Sequence, residues 1–197
     1  MSAVYGIWDP VGGEFPIKAL ERMSNDLMHR SLEGFGSWVD GPIGIGHGLT
    51  VVSPQSKLEQ SPMVWDDLVI SADVRLDERL ALMTAMKLDP SLQAGITDPE
   101  LILHAYRTWG LSFAEHLTGD FAVALWDRRQ GRLILARDQV GAKMLLYCHQ
   151  NGRVSFASEL RALVRSGAVA TDMDKEFILD RVLGIGDQPT RTACKHI

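Results

Sequence analysis

Residues 2–8 alternate loosely between small and large apolar types, the pattern of a buried strand that begins at the very start of the chain. Over 15–30 the apolar residues Ile17, Leu20, Met23 and Leu27 recur at helical spacing with Pro16 near the first turn, which predicts an amphipathic helix. Two strand patterns follow at 37–40 and 43–52, and the Gly41-Pro42 turn between them makes a hairpin. A further strand is expected over 68–74 and a helix rich in leucine, alanine and methionine over 78–88. Thr97 or Asp98 caps a helix with Pro99 at its first position, running to Trp109 and stopping at Gly110. Beyond it, short strands at 121–126, 132–136, 143–148 and 153–157 are joined by turns such as Asn151-Gly152, predicting an antiparallel meander. Ser158 caps a helix to Arg165 closed by Gly167, and Asp172 or Asp174 opens a last helix to about Leu183.

Strands and helices are segregated along the chain rather than strictly alternating, which favours an α+β layered sandwich over a doubly wound parallel sheet. The 197 residues suffice for one substantial core, and 46% hydrophobic with 23% charged residues is the balance of a globular chain. A net charge of -5 without any lysine or arginine run argues against nucleic acid or a membrane surface as partner. Cys148 and Cys194 are the two cysteines; they form no metal-ligand spacing and no disulfide framework, so reduced thiols and no metal are expected. With no signal-peptide pattern and no apolar run of about 20 residues, the expected location is cytoplasmic.

Three blocks carry a resemblance: Gly119-Asp120-Phe121-Ala122-Val123-Ala124-Leu125-Trp126-Asp127, Ala136-Arg137-Asp138, and Phe156-Ala157-Ser158-Glu159-Leu160. With Gly6-Ile7, Gly46-His47, Thr97-Asp98, Ala105-Tyr106 and Trp109-Gly110, they are similar in order and spacing to the N-terminal domains of the asparagine synthetase family. That is the glutaminase-type domain of class II amidotransferases. The resemblance implies a four-layer αββα sandwich of antiparallel sheets, the architecture of N-terminal-nucleophile hydrolases. It places such a domain over 1–170 and the start of a helical linker over 171–197.

In active members the cysteine exposed by methionine removal attacks the glutamine side-chain amide, with its own α-amino group as base. Here Ser2 stands at that position. A thiol ionises near pH 8.5, whereas a hydroxyl needs a well-placed base, so the easy nucleophile is lost. The family's asparagine-glycine-glutamate stretch, which supplies oxyanion donors, reads Ser71-Ala72-Asp73. Loss of one such donor costs about 100- to 1,000-fold in turnover. The arginine that clamps the substrate carboxylate is replaced by Leu49 within Gly48-Leu49-Thr50, and the arginine-glycine-proline-aspartate loop reads Arg30-Ser31-Leu32-Glu33. Asp98 matches the aspartate that holds the substrate ammonium, although capping of the helix begun by Pro99 accounts for it equally simply.

Other features read as structural. His47 has no second histidine at ligand spacing and is expected to be packed or hydrogen-bonded. The run 41–48 lacks the lysine-serine or lysine-threonine pair of a phosphate cradle and reads as a packed hairpin. Arg137 and Asp138 are read as an ion pair at a strand end, and the resemblance suggests that they shape the loop through Gly141 and Lys143.

The resemblance further implies a C-terminal synthetase domain as partner, binding ATP and Mg, adenylating a carboxylate and joining it to an amine. The pyrophosphate-binding loop of that domain is missing from this sequence, and no cofactor is expected in 1–197. The chain stops at Ile197, close to where that domain would begin, so a fragment or a truncated reading frame is expected. Family members without the cysteine include β-lactam synthetases and lasso-peptide cyclases, in which the substrate supplies the amine. The opening Ser-Ala-Val-Tyr-Gly-Ile-Trp and the Thr-Asp-Pro-Glu-Leu-Ile-Leu stretch look most like the lasso-cyclase branch. The leading expectation is a glutaminase-inactive domain that supports an amide-forming domain. The alternatives are a serine-type N-terminal hydrolase and a free-standing binding module, and homo-oligomerisation is left open.

Overall fold

The computed structural model describes residues 1–10, 15–31, 33–185 and 190–197. Leu32, part of the altered arginine loop, lies outside them. In chain order the elements are β1 (Ala3–Trp8), α1 (Phe15–Leu27), β2 (Phe35–Asp40), β3 (Ile43–Gly48), β4 (Met63–Trp65), β5 (Leu68–Leu76), α2 (Arg79–Ala85), α3 (Asp98–Trp109), β6 (Gly119–Asp127), β7 (Arg132–Arg137), β8 (Leu146–Gln150), β9 (Arg153–Ala157), α4 (Leu160–Arg165) and α5 (Lys175–Leu183).

Among the described residues the strands form two antiparallel sheets, one ordered β2-β3-β1-β9-β8 and the other β4-β5-β6-β7. Strand alternation sends one side of each sheet inward and the other toward helices. Val4, Ile43, Ile45, Val69, Ala122, Ala124 and Phe156 fill the space between the sheets. Ala3, Tyr5, Leu20, Met23, Leu27 and Leu163 pack α1 and α4 onto the outer side of the first sheet. Ile70, Ala72, Val74, Met83, Leu101, Ile102 and Val123 pack α2 and α3 onto the second. The result is the four-layer αββα sandwich expected from the sequence.

The early start of the core has a physical basis: β1 is the middle strand of its sheet, flanked by β3 and β9, and Ala3, Val4 and Ile7 are fully buried. Burying a valine or isoleucine side chain contributes about 1.5–3 kcal/mol, so the first residues anchor the chain rather than fray. The glycines of β3 serve close packing. A Cβ at Gly46 would run into the Tyr5 ring, and one at Gly6 would collide with Phe156 and the Gly44 carbonyl.

Several local expectations are corrected. The 121–157 strands are no single meander: β6 and β7 lie in one sheet, β8 and β9 in the other, and the 138–145 segment crosses between them. β4, too short to show a period, was not anticipated; it forms a hairpin with β5. β3 ends at Gly48 rather than running to 52, because the Leu49 N–H turns to the Gly34 carbonyl and the Thr50 N–H to the Ser2 hydroxyl. Thr97, and not Asp98, caps α3, in a capping box in which the Glu100 N–H reaches Thr97 Oγ1 and the Thr97 N–H reaches the Glu100 carboxylate. Ser158 does not cap α4. Its hydroxyl accepts the Val4 N–H at 2.9 Å and donates to the Val4 carbonyl, tying β1 to the chain leaving β9. Asp174, as one of the two expected alternatives, caps α5 through the Phe177 N–H.

Candidate functional site

Ser2 precedes β1 on the inward-facing parity shared with Val4, and it is buried. Its hydroxyl oxygen accepts the Thr50 N–H at 3.0 Å and lies 3.4 Å from the Thr50 carbonyl. The Ser2 carbonyl accepts from Arg30 Nη2 at 3.2 Å. Arg30 ends the short 3-10 turn after α1, and its own carbonyl accepts the Thr50 hydroxyl at 2.7 Å. Arg30 and the 49–50 turn therefore hold Ser2 from two directions.

A line of alternating charges runs beside it. Arg30 Nη1 donates to Glu159 at 3.2 Å, Arg30 Nη2 lies 3.8 Å from Asp73 Oδ2, and Lys143 Nζ donates to Asp73 Oδ1 at 3.0 Å. The side chains of Arg30, Asp73 and Lys143 are 10%, 6% and 12% exposed, so each charge depends on its neighbours for solvation. Asp73 belongs to β5 of the second sheet while Arg30 sits on the helical layer of the first, so the line joins the two halves of the sandwich. Lys143 is held by Asp138, whose carboxylate accepts the N–H groups of Phe121, Ala142 and Lys143. Burial raises the Asp138 carboxyl, but these backbone N–H groups outweigh it and hold it below the usual carboxylate range. Asp138 thus shapes the loop as the resemblance suggested.

Two residues in from Asp73, Ser71 faces the same inner space. Its hydroxyl donates to the Gly46 carbonyl at 3.0 Å and lies 3.0 Å from His47 Nδ1. Because its one hydrogen is given to Gly46, the hydroxyl accepts from His47, which fixes the imidazole as the Nδ1–H tautomer. His47 is 1% exposed, and burial pushes its pKa down to about 4, so the ring is neutral near pH 7. Its Nε2 is buried with no hydrogen-bond partner.

The remaining expected site residues fall in other places. Ala72 points its methyl outward into the α2–α3 core and lies in register with Val123 in the β5–β6 ladder. Leu49 sits at the turn after β3, its carbonyl accepting the Ser31 hydroxyl at 2.6 Å. Asp98 occupies the first turn of α3, buried, where its carboxylate accepts the Leu76 N–H at 3.0 Å and ion-pairs with Arg79. It is neither the cap nor joined by any described contact to Ser2. The structure thus brings together Ser2, Arg30, Asp73, Lys143 and Glu159, with Ser71 and His47 behind them. Arg30, Lys143 and Glu159 were all within quoted motifs, but nothing in their spacing announced that they meet. Among the described residues there is no group of three or more metal-ligating side chains, and no helix is long and apolar enough to cross a membrane.

The chain has relatives among known proteins. The chain is 28% identical over 157 residues to the amidase chry2 of Gibberella zeae, covering 77% of this chain and 23% of that protein. It is 26% identical over 178 residues to the glutamine-hydrolysing asparagine synthetase 3 of Bacillus subtilis, covering 89% of this chain and 28% of that one. It therefore spans about a quarter of the length of these curated relatives. In fold it is similar to the glutamine phosphoribosylpyrophosphate amidotransferase of B. subtilis, with a TM-score of 0.61 at 18% identity over 84% of this chain and 43% of that one. The family model of the glutamine amidotransferase domain matches residues 1–196, and the chain belongs to that family.

Proposed function

We propose that this chain is a glutaminase-type domain that no longer hydrolyses glutamine and instead supports an ATP-dependent amide-forming domain of a longer protein. The observation that carries the reading is the state of the two hydroxyls at the nucleophile and oxyanion positions. The Ser2 hydroxyl is taken up by both backbone groups of Thr50, and the Ser71 hydroxyl gives its hydrogen to Gly46. Neither is left to attack or to stabilise a developing oxyanion, which needs donors aimed at the reacting atom. The acidic side chain beside them, Asp73, is already paired with Lys143 and Arg30. Position 49 carries a leucine, and the guanidinium nearest Ser2, that of Arg30, is bound to Ser2 and Glu159.

The partner domain would follow the linker that starts at 171 and would bring the ATP and Mg chemistry; its product class is an amide or isopeptide, in the manner of the lasso-peptide cyclases. α5 accords with a linker role, because it has no buried residue and exposes Leu179, Val182 and Leu183. The test is a glutaminase assay on the purified chain, with intact mass reporting the state of Met1 and an amide-directed acylating probe reporting Ser2. No ammonia release and no adduct are expected. Enzyme-like glutamine turnover would overturn the reading, and a Ser2 adduct with Met1 removed would establish a serine-type hydrolase in its place.

A further inference from the structure

The sandwich opens on one side between the edge strands of its two sheets, β7 and β8. Two cavities meet there, of about 550 and about 490 Å³, and share Leu135, Tyr147 and His149 in their walls. Each lies in the roughly 300–1,000 Å³ range of pockets that bury a small organic ligand. Their floor is apolar, since Leu133 and Leu135 extend the core between the sheets and Trp8 and Val154 close the first cavity. The lysine and arginine side chains give the mouth its charge: Arg132 borders the first cavity and Arg137 and Lys195 the second, with the polar His149 in both, while no aspartate or glutamate side chain lines either among the described residues. On a chain of net charge -5 this cationic mouth over an apolar floor is a local reversal. Among the described acidic residues, Asp127 opposes Arg132 across the β6–β7 ladder, and Asp172 lies 3.4 Å from His196 in the wall of the second cavity.

We propose that this cleft binds a small amphipathic carboxylate, with the apolar body lying on Leu133, Leu135 and Tyr147 and the carboxylate at the arginine-lined mouth. Charge complementarity selects the head group, because a carboxylate gains charge-assisted hydrogen bonds from guanidinium groups that an alcohol or an ammonium does not. The inference is independent of the state of Ser2. None of the cleft residues belongs to the Ser2 cluster.

The test is an amide-detected NMR titration of the chain with decanoate below its aggregation concentration, alongside decanol and decyltrimethylammonium. Saturable shifts confined to the 131–136, 145–149 and 192–197 segments are expected with decanoate, with decanol weaker by about tenfold or more. Arg132→Gln, an exposed substitution that leaves the core untouched, is expected to weaken decanoate several-fold and leave decanol unchanged. Leu135→Asp is expected to abolish binding of both, with a dispersed spectrum checking that it folds. Equal affinity for decanol and decanoate, shifts centred on the apolar face of α5, or no saturation would each overturn the proposal. So would a concentration-dependent dimer in sedimentation that protects the cleft, since a second copy would then be the occupant.

Discussion

His47 Nδ1 lies 3.0 Å from the Ser71 hydroxyl oxygen, and this bond joins the inner face of β3 to the inner face of β5 across the centre of the sandwich. Both residues are essentially unexposed. Ser71→Ala removes the acceptor of a buried N–H and the donor to the Gly46 carbonyl at once. A loss of about 1–3 kcal/mol in urea unfolding is expected, the cost of leaving buried polar groups unsatisfied. His47→Phe, which leaves the Ser71–Gly46 bond in place, is expected to cost less than His47→Ala, which opens a cavity.

Under the proposed reading, Ser2→Cys places a thiol at the expected nucleophile position and leaves the groups around it unchanged. Glutamine hydrolysis is expected to stay at background in this variant, measured as ammonia release after confirming loss of Met1. Adding Ser71→Asn is expected to overpack a fully buried position and lower stability by about 1–3 kcal/mol before it supplies a donor. Robust turnover in Ser2→Cys would show that the remaining site is still competent.

The charge line makes a separate prediction. Asp73→Asn leaves Arg30 and Lys143 buried without their shared carboxylate, and a loss of about 3–5 kcal/mol is expected from breaking such a buried arrangement. Lys143→Met, in contrast, leaves Asp73 with Arg30 and should cost clearly less. Chemical denaturation of the two single variants and the double variant separates the effects.

Buried His47 and half-buried Glu59 titrate with opposite sign. His47 is pushed down from 6.5 to about 4 by burial, so its contribution to stability is complete above pH 6.5 and is lost as pH falls toward 4. Linkage over that interval amounts to about 3 kcal/mol. Glu59 is raised from 4.5 to about 7, first by burial and then by the Asp73 charge, so its contribution is complete below pH 4.5 and lost as pH rises through 7. The two oppose each other between pH 4.5 and 6.5. His47→Gln is expected to flatten the acid limb of the stability profile and Glu59→Gln the neutral one, as read by melting temperature against pH.

Gly46→Ala tests the packing that lets β1 and β3 lie so close. The new methyl would enter the Tyr5 ring, and a loss of about 1–3 kcal/mol is expected, with relief in Gly46→Ala/Tyr5→Leu.

How much of this was legible depended on whether the signal was local. The Thr97-Pro99-Glu100 run contains all the groups of its capping box, so α3 could be read to its ends from the sequence. The hairpin of β2 and β3 was legible for the same reason, since Gly41-Pro42 makes the turn by itself. The fold class followed from the segregation of elements, and the family from the three motif blocks. Asp98, by contrast, does not make the cap that its place beside Pro99 suggested, because Leu76 and Arg79 come to it from 22 and 19 positions earlier in the chain.

By itself the sequence determined the α+β class, the helix periods with the Thr97 and Asp174 cap candidates, and the identities of Ser2, Ser71 and Leu49. Only the tertiary structure decided what those side chains touch. Whether the Ser2 hydroxyl is free depends on Thr50, 48 positions away, and whether Asp73 is an open charge depends on Lys143, 70 positions away. Contacts between residues so far apart are fixed by how two sheets stack. No local propensity encodes that stacking, so the chemistry of the site became readable only after the sheets were in place.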